Sequence, residues 1–400
     1  MQNYTRIHGF SKFKIIFILA LMSAIAPLST DMYLPALKSV QESFNTSEFL
    51  TQLSIATFFI AFAFGQLIYG PLSDIFGRKK PLIVGIVIFM FSSLGCVLVD
   101  NVELFIMFRF LEALGGCAGV VIARAVVNDL FELKEAGAVF ALMMVVSSLA
   151  PMLSPTFGSL LLKIFSWQSI FVTLFLLGVL LIFLVIFVLK ESASISSKVK
   201  FSQKEIVKNY IFVLKDRPFL VYIFSSGFAM GAIFAYITGS SFVFIKSFGL
   251  SEQAYGFLFG LNSFGFIIAA NINAKLVLNY SPYILLPKAF FAMLAFGSAL
   301  IFCSFLGFYA FEISLFFIIS MLGFIMPNTT TLAMARFRDH SGTASALLGT
   351  LQFSIAGLVS FIVGFVQANT PFLLSVMIFG CIFLAFFIYF FIGKIVLKGE

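Results

Sequence analysis

Three ionisable residues stand out within the long apolar stretches of this sequence, and they are its first candidates for chemistry. Asp31 lies in the apolar run 14–36, and Arg109 and Glu112 lie in the run 103–126. An ionisable group inside a membrane is costly, so each of these residues is a candidate functional residue. Such groups could bind and release a proton or hold a charged substrate.

Asp31 and Arg109 are expected to lie at similar depth. If the helices end near residues 36 and 103, Asp31 is about 7 Å and Arg109 about 9 Å below the same membrane surface. The two side chains could form an ion pair if their helices are neighbours. Burial favours the neutral form of Asp31, and a nearby Arg109 favours its ionised form. A carboxyl balanced between these effects could load a proton on one side and release it on the other, while Arg109 stays charged.

Structural roles compete with this hypothesis. Asp31 could be solvated at the membrane interface, or an ion pair with Arg109 could serve only to join two helices. Glu112 follows Arg109 at a helical spacing that places both on one face. It could therefore serve only to neutralise the Arg109 charge.

Membrane-spanning helices would hold these residues. The 400 residues are 61% hydrophobic and 10% charged, whereas soluble globular proteins have about 25% charged residues. Twelve apolar segments approach or exceed the roughly 20 residues that cross a bilayer. These segments are 14–36, 49–72, 81–99, 103–126, 136–162, 167–189, 218–243, 253–275, 283–304, 309–334, 342–367 and 371–396. The predicted fold class is an all-α polytopic membrane protein with twelve transmembrane helices.

A basic, serine-containing linker at 190–217 divides the segments into two sets of six. We predict an N-terminal six-helix bundle at 1–189 and a C-terminal six-helix bundle at 218–400. Similar short motifs end the fourth and tenth segments and open the fifth and eleventh, which indicates pseudo-symmetric halves. The linker itself is interpreted as a solvated basic segment, with an interfacial amphipathic helix as the alternative.

The distribution of Lys and Arg predicts the orientation. Cationic loops are retained in the cytoplasm, and only Lys38, Lys163 and Lys246 would lie in external loops if both termini are cytoplasmic. The net charge of +8 does not indicate a nucleic-acid partner, because the basic residues lie between apolar segments and not on one polar face.

The composition also argues against an enzyme or a metal protein. The four cysteines lie in apolar runs without the spacing of metal ligands or of a disulfide framework. Neither histidine, His8 or His340, lies where it could serve as a base within a spanning segment. A receptor or scaffold that transports nothing would not need Asp31 and Arg109 at matched depth. We therefore expect no metal, no cofactor apart from a coupling proton, and no enzymatic activity.

The connection between the second and third segments is short and polar. Gly70 and Gly77 permit sharp backbone turns, and Arg78 and Lys79 would hold the connection on the cytoplasmic side. Asp74, beside these cations, could lock a neighbouring helix. This spacing resembles the loop between helices 2 and 3 of the major facilitator superfamily, although a simple positively charged anchor is the alternative.

Further candidates lie in the fourth and fifth segments. Arg124 and Asp129, at the cytoplasmic end of the fourth segment, are interpreted as interfacial or gate-stabilising charges. Pro151 and Pro155 remove amide donors and should bend the fifth helix. Gly158 would let another backbone approach closely. A kink without a function is the alternative interpretation of the fifth segment.

Four motifs together resemble the bicyclomycin-resistance (Bcr/CflA) group of drug:proton antiporters. Residues 29–37 resemble the helix 1 signature of the group, 109–116 its helix 4 motif, and 149–158 the proline-bearing antiporter motif of helix 5. Residues 327–328, 333–335 and 342–353 resemble its helix 10–11 region. Glu112 is a departure, because the group usually has Gln there. The added carboxylate could favour cationic substrates.

The resemblance implies a drug-efflux antiporter of a bacterial inner membrane that confers antibiotic resistance. It would export small, mostly apolar drugs, similar to bicyclomycin or chloramphenicol, by alternating access in exchange for an inward proton. Asp31 and Arg109 would handle the proton or the substrate, and Asp74 and Arg78 would stabilise one access state. The expected partners are drugs, protons and the lipid bilayer, and a monomer is expected. The alternative is a transporter of metabolites or amino-acid derivatives on the same fold.

Overall fold

The computed structural model describes residues 9–131, 133–192, 203–337 and 341–396, and within these ranges it contains helices and no strands. We number the twelve long helices α1 to α12 in chain order. They are Gly9–Asp31, Glu48–Phe76, Lys79–Leu98, Val102–Leu130, Leu133–Ile164, Gln168–Phe187, Arg217–Ser241, Glu252–Leu276, Pro282–Cys303, Phe308–Met334, Ser341–Phe365 and Pro371–Phe387. Short π-helical turns, Phe242–Ser247 and Ile388–Ile392, extend α7 and α12.

Eleven helical segments of the described chain are long and apolar enough to cross a membrane. The remaining predicted segment, 136–162, corresponds to α5, many of whose side chains lie outside the described residues. Each of the twelve predicted segments therefore matches one long helix. The predicted all-α polytopic fold class is confirmed.

Polar residues at the helix starts satisfy backbone amides that have no partner within the helix. The side chains of Ser47, Ser251 and Thr370 accept hydrogen bonds from amides in the first turns of α2, α8 and α12. Asn101 accepts from the amides of the first turn of α4, and Asp216 caps α7. These caps fix where the chain leaves each connection and enters a spanning helix.

The helices pack in two groups. Helices α1 to α6 contact mainly one another, as do α7 to α12, and the two groups meet where α2 packs on α11 and α5 packs on α8. Close packing at the first of these interfaces depends on Gly357 of α11, where a Cβ atom would lie 2.5 Å from Cγ1 of Ile60. Small residues allow such close approach between membrane helices.

Part of the predicted linker forms a helix of its own. Residues 193–202 lie outside the described residues, and the chain then forms the linker helix, Gln203–Leu214. Val207, Ile211 and Leu214 lie at helical spacing and are exposed, which is typical of a helix in a membrane interface. This part of 190–217 is therefore helical, as in the alternative interpretation, and the solvated basic segment stays a prediction.

The connections between the helices lie at two ends of the bundle. The loop end carries the α2–α3 and α4–α5 connections and the linker helix, and the far end carries the α1–α2, α7–α8 and α11–α12 connections. The central region is the junction between the two helix groups, where side chains of both groups meet.

Candidate transport site and gates

Arg109 and Glu112 form a completely buried ion pair within α4. Nη1 of Arg109 lies 2.6 Å from Oε2 of Glu112, and both side chains are 0% exposed. The Ser93 hydroxyl of α3 donates a hydrogen bond of 3.1 Å to the other Glu112 oxygen. Buried charges persist only when they are paired and hydrogen-bonded. Glu112 thus neutralises the charge of Arg109, as the structural interpretation of Glu112 proposed.

Aromatic rings enclose the Arg109 guanidinium. Its Cζ atom lies 5.0 Å from the ring centroid of Tyr33, 4.6 Å from that of Phe58 and 5.5 Å from that of Phe171. Ring faces attract a cation, and the attraction is strongest where water is excluded. The Nε and Nη2 groups of Arg109 have no hydrogen-bond partner among the described residues, so two buried donors face the interior. The sequence did not single out these aromatic residues.

Asp31 is the last residue of α1, and it is 4% exposed. The Thr30 hydroxyl donates a hydrogen bond of 3.0 Å to Oδ1 of Asp31. Asp31 interacts electrostatically with the hydroxyls of Tyr236 and Tyr255, which belong to the second helix group. The carboxyl therefore lies in the central region, at the junction of the two groups.

The ion pair considered between Asp31 and Arg109 is not formed. Across the part of the chain that is described, Arg109 is paired with Glu112, and the hydrogen bond to Asp31 comes from Thr30. The physical reason is that Arg109 finds a carboxylate on its own helix, whereas Asp31 faces the second helix group. The predicted end of the first span near residue 36 is also wrong, because the short helical segments Leu34–Ala36 and Leu37–Ser43 extend the span to Ser43. Asp31 therefore lies deeper than predicted, and its predicted level with Arg109 does not hold.

A further buried carboxyl, Glu312 of α10, was missed by the sequence reasoning. It is 7% exposed, and the side-chain amide of Asn262 donates a hydrogen bond of 2.9 Å to its Oε1 atom. The same amide nitrogen donates to the Tyr236 hydroxyl at 3.2 Å. Glu312 lies close to the start of the predicted segment 309–334, where an acid is easily interpreted as interfacial. The rule applied to Asp31, an acid within an apolar run, would have found it.

The far end is closed by polar contacts between the two helix groups. Glu48, the first residue of α2, forms an ion pair with Lys246 and accepts a hydrogen bond from the Asn369 amide. The Ser39 hydroxyl donates to Oε1 of Glu252 at 2.9 Å. Each of these contacts joins a residue of the first group to one of the second. We call Glu48, Lys246 and Asn369 the far-end gate.

The antiporter-like segment of α5 touches both groups. Gly158 lies against Met32, the residue that follows Asp31: a Cβ atom on Gly158 would lie 2.2 Å from the Met32 carbonyl oxygen. On the side of the second group, a Cβ atom on Gly256 of α8 would lie 2.8 Å from the Pro155 carbonyl oxygen. The side chain of Pro151 lies outside the described residues. The predicted close approach at Gly158 is therefore present, against the end of α1.

We expect Gly158→Ala to destabilise the protein and lower its transport activity. The added methyl group meets backbone rather than a flexible side chain, and overpacking of this kind costs about 1–3 kcal/mol. Thermal unfolding of the purified protein measures the effect. Gly380→Ala is the matched control, because nothing lies within 4 Å of a Cβ at that position. Equal melting temperatures of the two variants would contradict the expectation.

The motif between α2 and α3 forms an ion-pair cluster at the loop end. Nε of Arg78 donates to Oδ2 of Asp129 on α4 at 2.8 Å, and Nη1 donates to the Ser73 hydroxyl at 2.8 Å. Arg78 also pairs with Asp74. The cluster ties α2 and α4 together, but Arg124 does not join it. Arg124 is exposed and forms no hydrogen bond or ion pair with the described residues.

Glu191, which follows α6, caps the start of α3. Its carboxylate accepts hydrogen bonds from the backbone amides of Arg78 at 2.7 Å and Lys79 at 3.1 Å. An anion is stabilised at a helix N-terminus. The Lys79 ammonium in turn donates to the Ile186 carbonyl of α6 at 2.8 Å. Sequence reasoning missed this cap because Glu191 is distant in the chain.

Only one of the two motif glycines turns the chain. Gly77 has a φ of +82°, a conformation that favours glycine. Gly70 lies inside α2, which continues to Phe76. The predicted sharp turn at Gly70 is therefore wrong. The helix continues past the apolar run because its backbone hydrogen bonds do not depend on a lipid environment.

Comparisons with known proteins agree with this architecture. A family model described as the Major Facilitator Superfamily matches residues 19–361. The chain is 35% identical to the MFS-type transporter YdgK of Bacillus subtilis (strain 168), over 89% of this chain and 90% of that protein. It is 28% identical to a bicyclomycin resistance protein homolog of Haemophilus influenzae, over 98% of both chains. It is 30% identical to the multidrug transporter MdfA of Edwardsiella ictaluri, over 61% of this chain and 59% of that protein.

A solved structure has the same arrangement of helices. The fold is similar to that of a D-xylose-proton symporter with a TM-score of 0.76, covering 95% of this chain and 98% of that one. The sequence identity of the pair is 15%, so this likeness concerns the fold alone.

Proposed function

This chain belongs to the Major Facilitator Superfamily, and we propose that it exports small, mostly apolar drugs across a bacterial inner membrane in exchange for protons. It is a membrane transporter and not an enzyme. Support for drugs as the substrate class comes from the names of two relatives, a bicyclomycin resistance homolog and a multidrug transporter. The protein would act as a monomer with both termini in the cytoplasm. Export of a metabolite or an amino-acid derivative is the second candidate.

The burial of the Asp31 carboxyl without a cationic partner is the observation that supports proton coupling. Its carboxyl is buried at the junction of the helix groups, and among the described residues it has no cationic partner within ion-pair distance. The ionised form is costly there unless water or a cationic group reaches it. A carboxyl that is neutral when sealed and ionised when hydrated binds a proton on one side of the membrane and releases it on the other.

Arg109, neutralised by Glu112, would serve the substrate rather than carry the proton. Its two unpartnered nitrogens, Nε and Nη2, can donate hydrogen bonds to carbonyl or hydroxyl oxygens of a drug, and the surrounding rings suit an apolar body. An inward proton contributes roughly 2.3 kcal/mol per 100 mV of membrane potential, before any pH gradient is counted. Rocking of the two groups about the central region would expose the site to each side in turn.

The contacts between the groups are consistent with a site open toward the loop end. The far-end gate joins the two groups, whereas the Arg78 cluster lies within the first group. A second loop-end ion pair, Arg336 with Asp216, lies within the second group, with both hydrogen bonds at 2.8 Å. With the loop end in the cytoplasm, as the Lys and Arg distribution predicts, this state is inward-facing.

We expect Glu48→Gln to favour opening of the far end, because the substitution removes the charge that holds Lys246. A partly exposed ion pair is worth up to about 1 kcal/mol, which corresponds to about a fivefold shift. The measurement is the rate at which a membrane-impermeant maleimide, added outside, labels Ser241→Cys, since Ser241 is fully buried in α7. Glu42→Gln is the control, because the ion pair of Glu42 is formed with Lys38 of its own group, at 4.0 Å. Equal labelling rates in the two backgrounds would rule out the proposed gate.

Accumulation of chloramphenicol in a host without its own drug pumps tests the substrate class. Cells that express the protein should retain less drug than cells with an empty vector, and a protonophore should remove the difference. A panel of neutral and cationic drugs should be measured beside a panel of amino-acid derivatives. Export of the second panel alone would favour the second candidate, and drug export that survives the protonophore would contradict proton coupling.

A further inference from the structure

The central region contains a second carboxyl that the proposed mechanism does not yet use. Glu312, on α10 in the second helix group, interacts electrostatically with the same two hydroxyls as Asp31, those of Tyr236 and Tyr255. Tyr255 is fixed by the Ser240 hydroxyl at 2.8 Å. One carboxyl from each helix group therefore belongs to a single polar cluster.

The hydrogen bonds around Glu312 are incomplete. Both N–H bonds of the Asn262 amide are used, one to Oε1 of Glu312 at 2.9 Å and one to the Tyr236 hydroxyl at 3.2 Å. Oε2 of Glu312 and Oδ1 of Asn262 have no partner among the described residues, although both side chains are more than nine-tenths buried. Two buried acceptors thus lack a donor, and unmet acceptors of this kind are costly.

No cation of the described residues compensates an ionised Glu312. The polar or titratable groups that face it from the packed helices are Tyr236 of α7 and Tyr255 and Asn262 of α8. On α10, Ser314 lies two residues after Glu312, and its hydroxyl donates a hydrogen bond of 3.2 Å to the Cys303 sulfur of α9. None of these groups carries a positive charge, and an unpaired buried carboxylate is strongly disfavoured.

A single proton resolves both deficits. Bound to Oε2, it removes the negative charge and turns an acceptor without a donor into a donor. The acceptor that lacks a donor is Oδ1 of Asn262. The amide nitrogen of the same residue already donates to Oε1 of Glu312. A neutral acid and an amide are matched in this way, since each offers one donor and one acceptor to the other.

We propose that Glu312 is a second proton-binding site, located in the helix group opposite Asp31 and occupied while the loop end is open. The carboxylate takes a proton from water on one side of the membrane and returns it to water on the other, so that no further reactant is needed. The role in transport rests on the proton-coupled exchange proposed above. Because Asp31 and Glu312 belong to different groups, rocking changes their separation, and both protons are expected to move in one cycle.

Infrared spectroscopy of the full-length protein in lipid tests the site without any drug. Protonated carboxyl groups absorb separately from carboxylates, so a buried neutral acid gives its own C=O band at neutral pH. Glu312→Gln should lose a component of this band that Asp31→Asn retains. Glu312→Asp keeps a carboxyl and should shift the component, which provides a second variant if Glu312→Gln does not fold. A band in Glu312→Gln identical to that of the exposed-acid control Glu42→Gln would overturn the proposal.

Transport stoichiometry in proteoliposomes tests the role in the cycle, with chloramphenicol as the neutral probe. The measured quantity is the number of protons exchanged per drug molecule. It should be about two for the wild-type protein and about one for Glu312→Gln. An unchanged ratio in Glu312→Gln would overturn the role in transport. Loss of the infrared component, with no coupling of drug to protons even in wild type, would instead contradict the proposed function and leave the proton site in place.

Discussion

Asp31→Asn is expected to abolish proton-coupled drug export while the protein remains folded in the membrane. Asparagine has nearly the same shape as the protonated acid, and its carbonyl oxygen can still accept the 3.0 Å hydrogen bond from Thr30. Arg109 is not left unpaired, because Glu112 neutralises it. The substitution therefore removes the titratable group without creating a buried charge.

The measurement is drug uptake into everted membrane vesicles energised by a proton gradient. Uptake by Asp31→Asn should fall to the level of vesicles without the protein, a loss of more than about tenfold, equivalent to at least 1.4 kcal/mol of lost driving force. Downhill exchange of drug, which needs no proton, should persist. Asp31→Glu should retain part of the coupled uptake, and Glu42→Gln all of it. Gradient-driven uptake at the wild-type level in Asp31→Asn would refute the role of this residue as proton carrier.

The positions of the helices could be predicted because bilayer thickness fixes how many apolar residues a span requires. Their ends could not be predicted as well. The second segment was expected at 49–72, whereas α2 is Glu48–Phe76. Hydropathy detects the edge of the lipid, but a helix ends where its backbone meets a turn, here at Gly77.

The partners of the buried charges were harder to predict. Depth along a helix depends on where the helix ends, and the sequence placed Asp31 and Arg109 level only because the first span was expected to end near residue 36 and not at Ser43. The direction in which a side chain points depends on how neighbouring helices pack. Two carboxyls were candidate partners for Arg109, and only the packed structure distinguishes them, in favour of Glu112.

Contacts between distant segments were out of reach of the sequence for the same reason. The Glu191 cap on α3 and the far-end gate each join residues that are remote in the chain. Glu312 was within reach, because an acid in an apolar run is visible in the sequence, but it was not considered because it lies only four residues into its segment. The proton-handling roles of Asp31 and Arg109 stay predictions, and the experiments above test them.

Breaking the Arg109–Glu112 pair from its two sides should have unequal effects. Glu112→Leu leaves a guanidinium that cannot lose its proton in a protein, at a site where the side chain is 0% exposed. Loss of one partner of a buried pair costs about 3–5 kcal/mol. Cation–π contacts with the surrounding rings, worth up to about 2 kcal/mol, are present in wild type and do not replace the lost carboxylate.

Arg109→Met should be less damaging, because the remaining Glu112 can take up a proton and become neutral, still held by Ser93. The double variant Arg109→Met/Glu112→Leu should regain most of the lost stability, since an apolar replacement of a buried pair is often close to neutral. Thermal unfolding of the purified variants gives the ranking, and drug uptake should be absent from all three. Equal destabilisation of the single and double variants would contradict this argument, as would a double variant that is less stable than Glu112→Leu. Either result would mean that the loss of stability does not come from an unpaired buried charge.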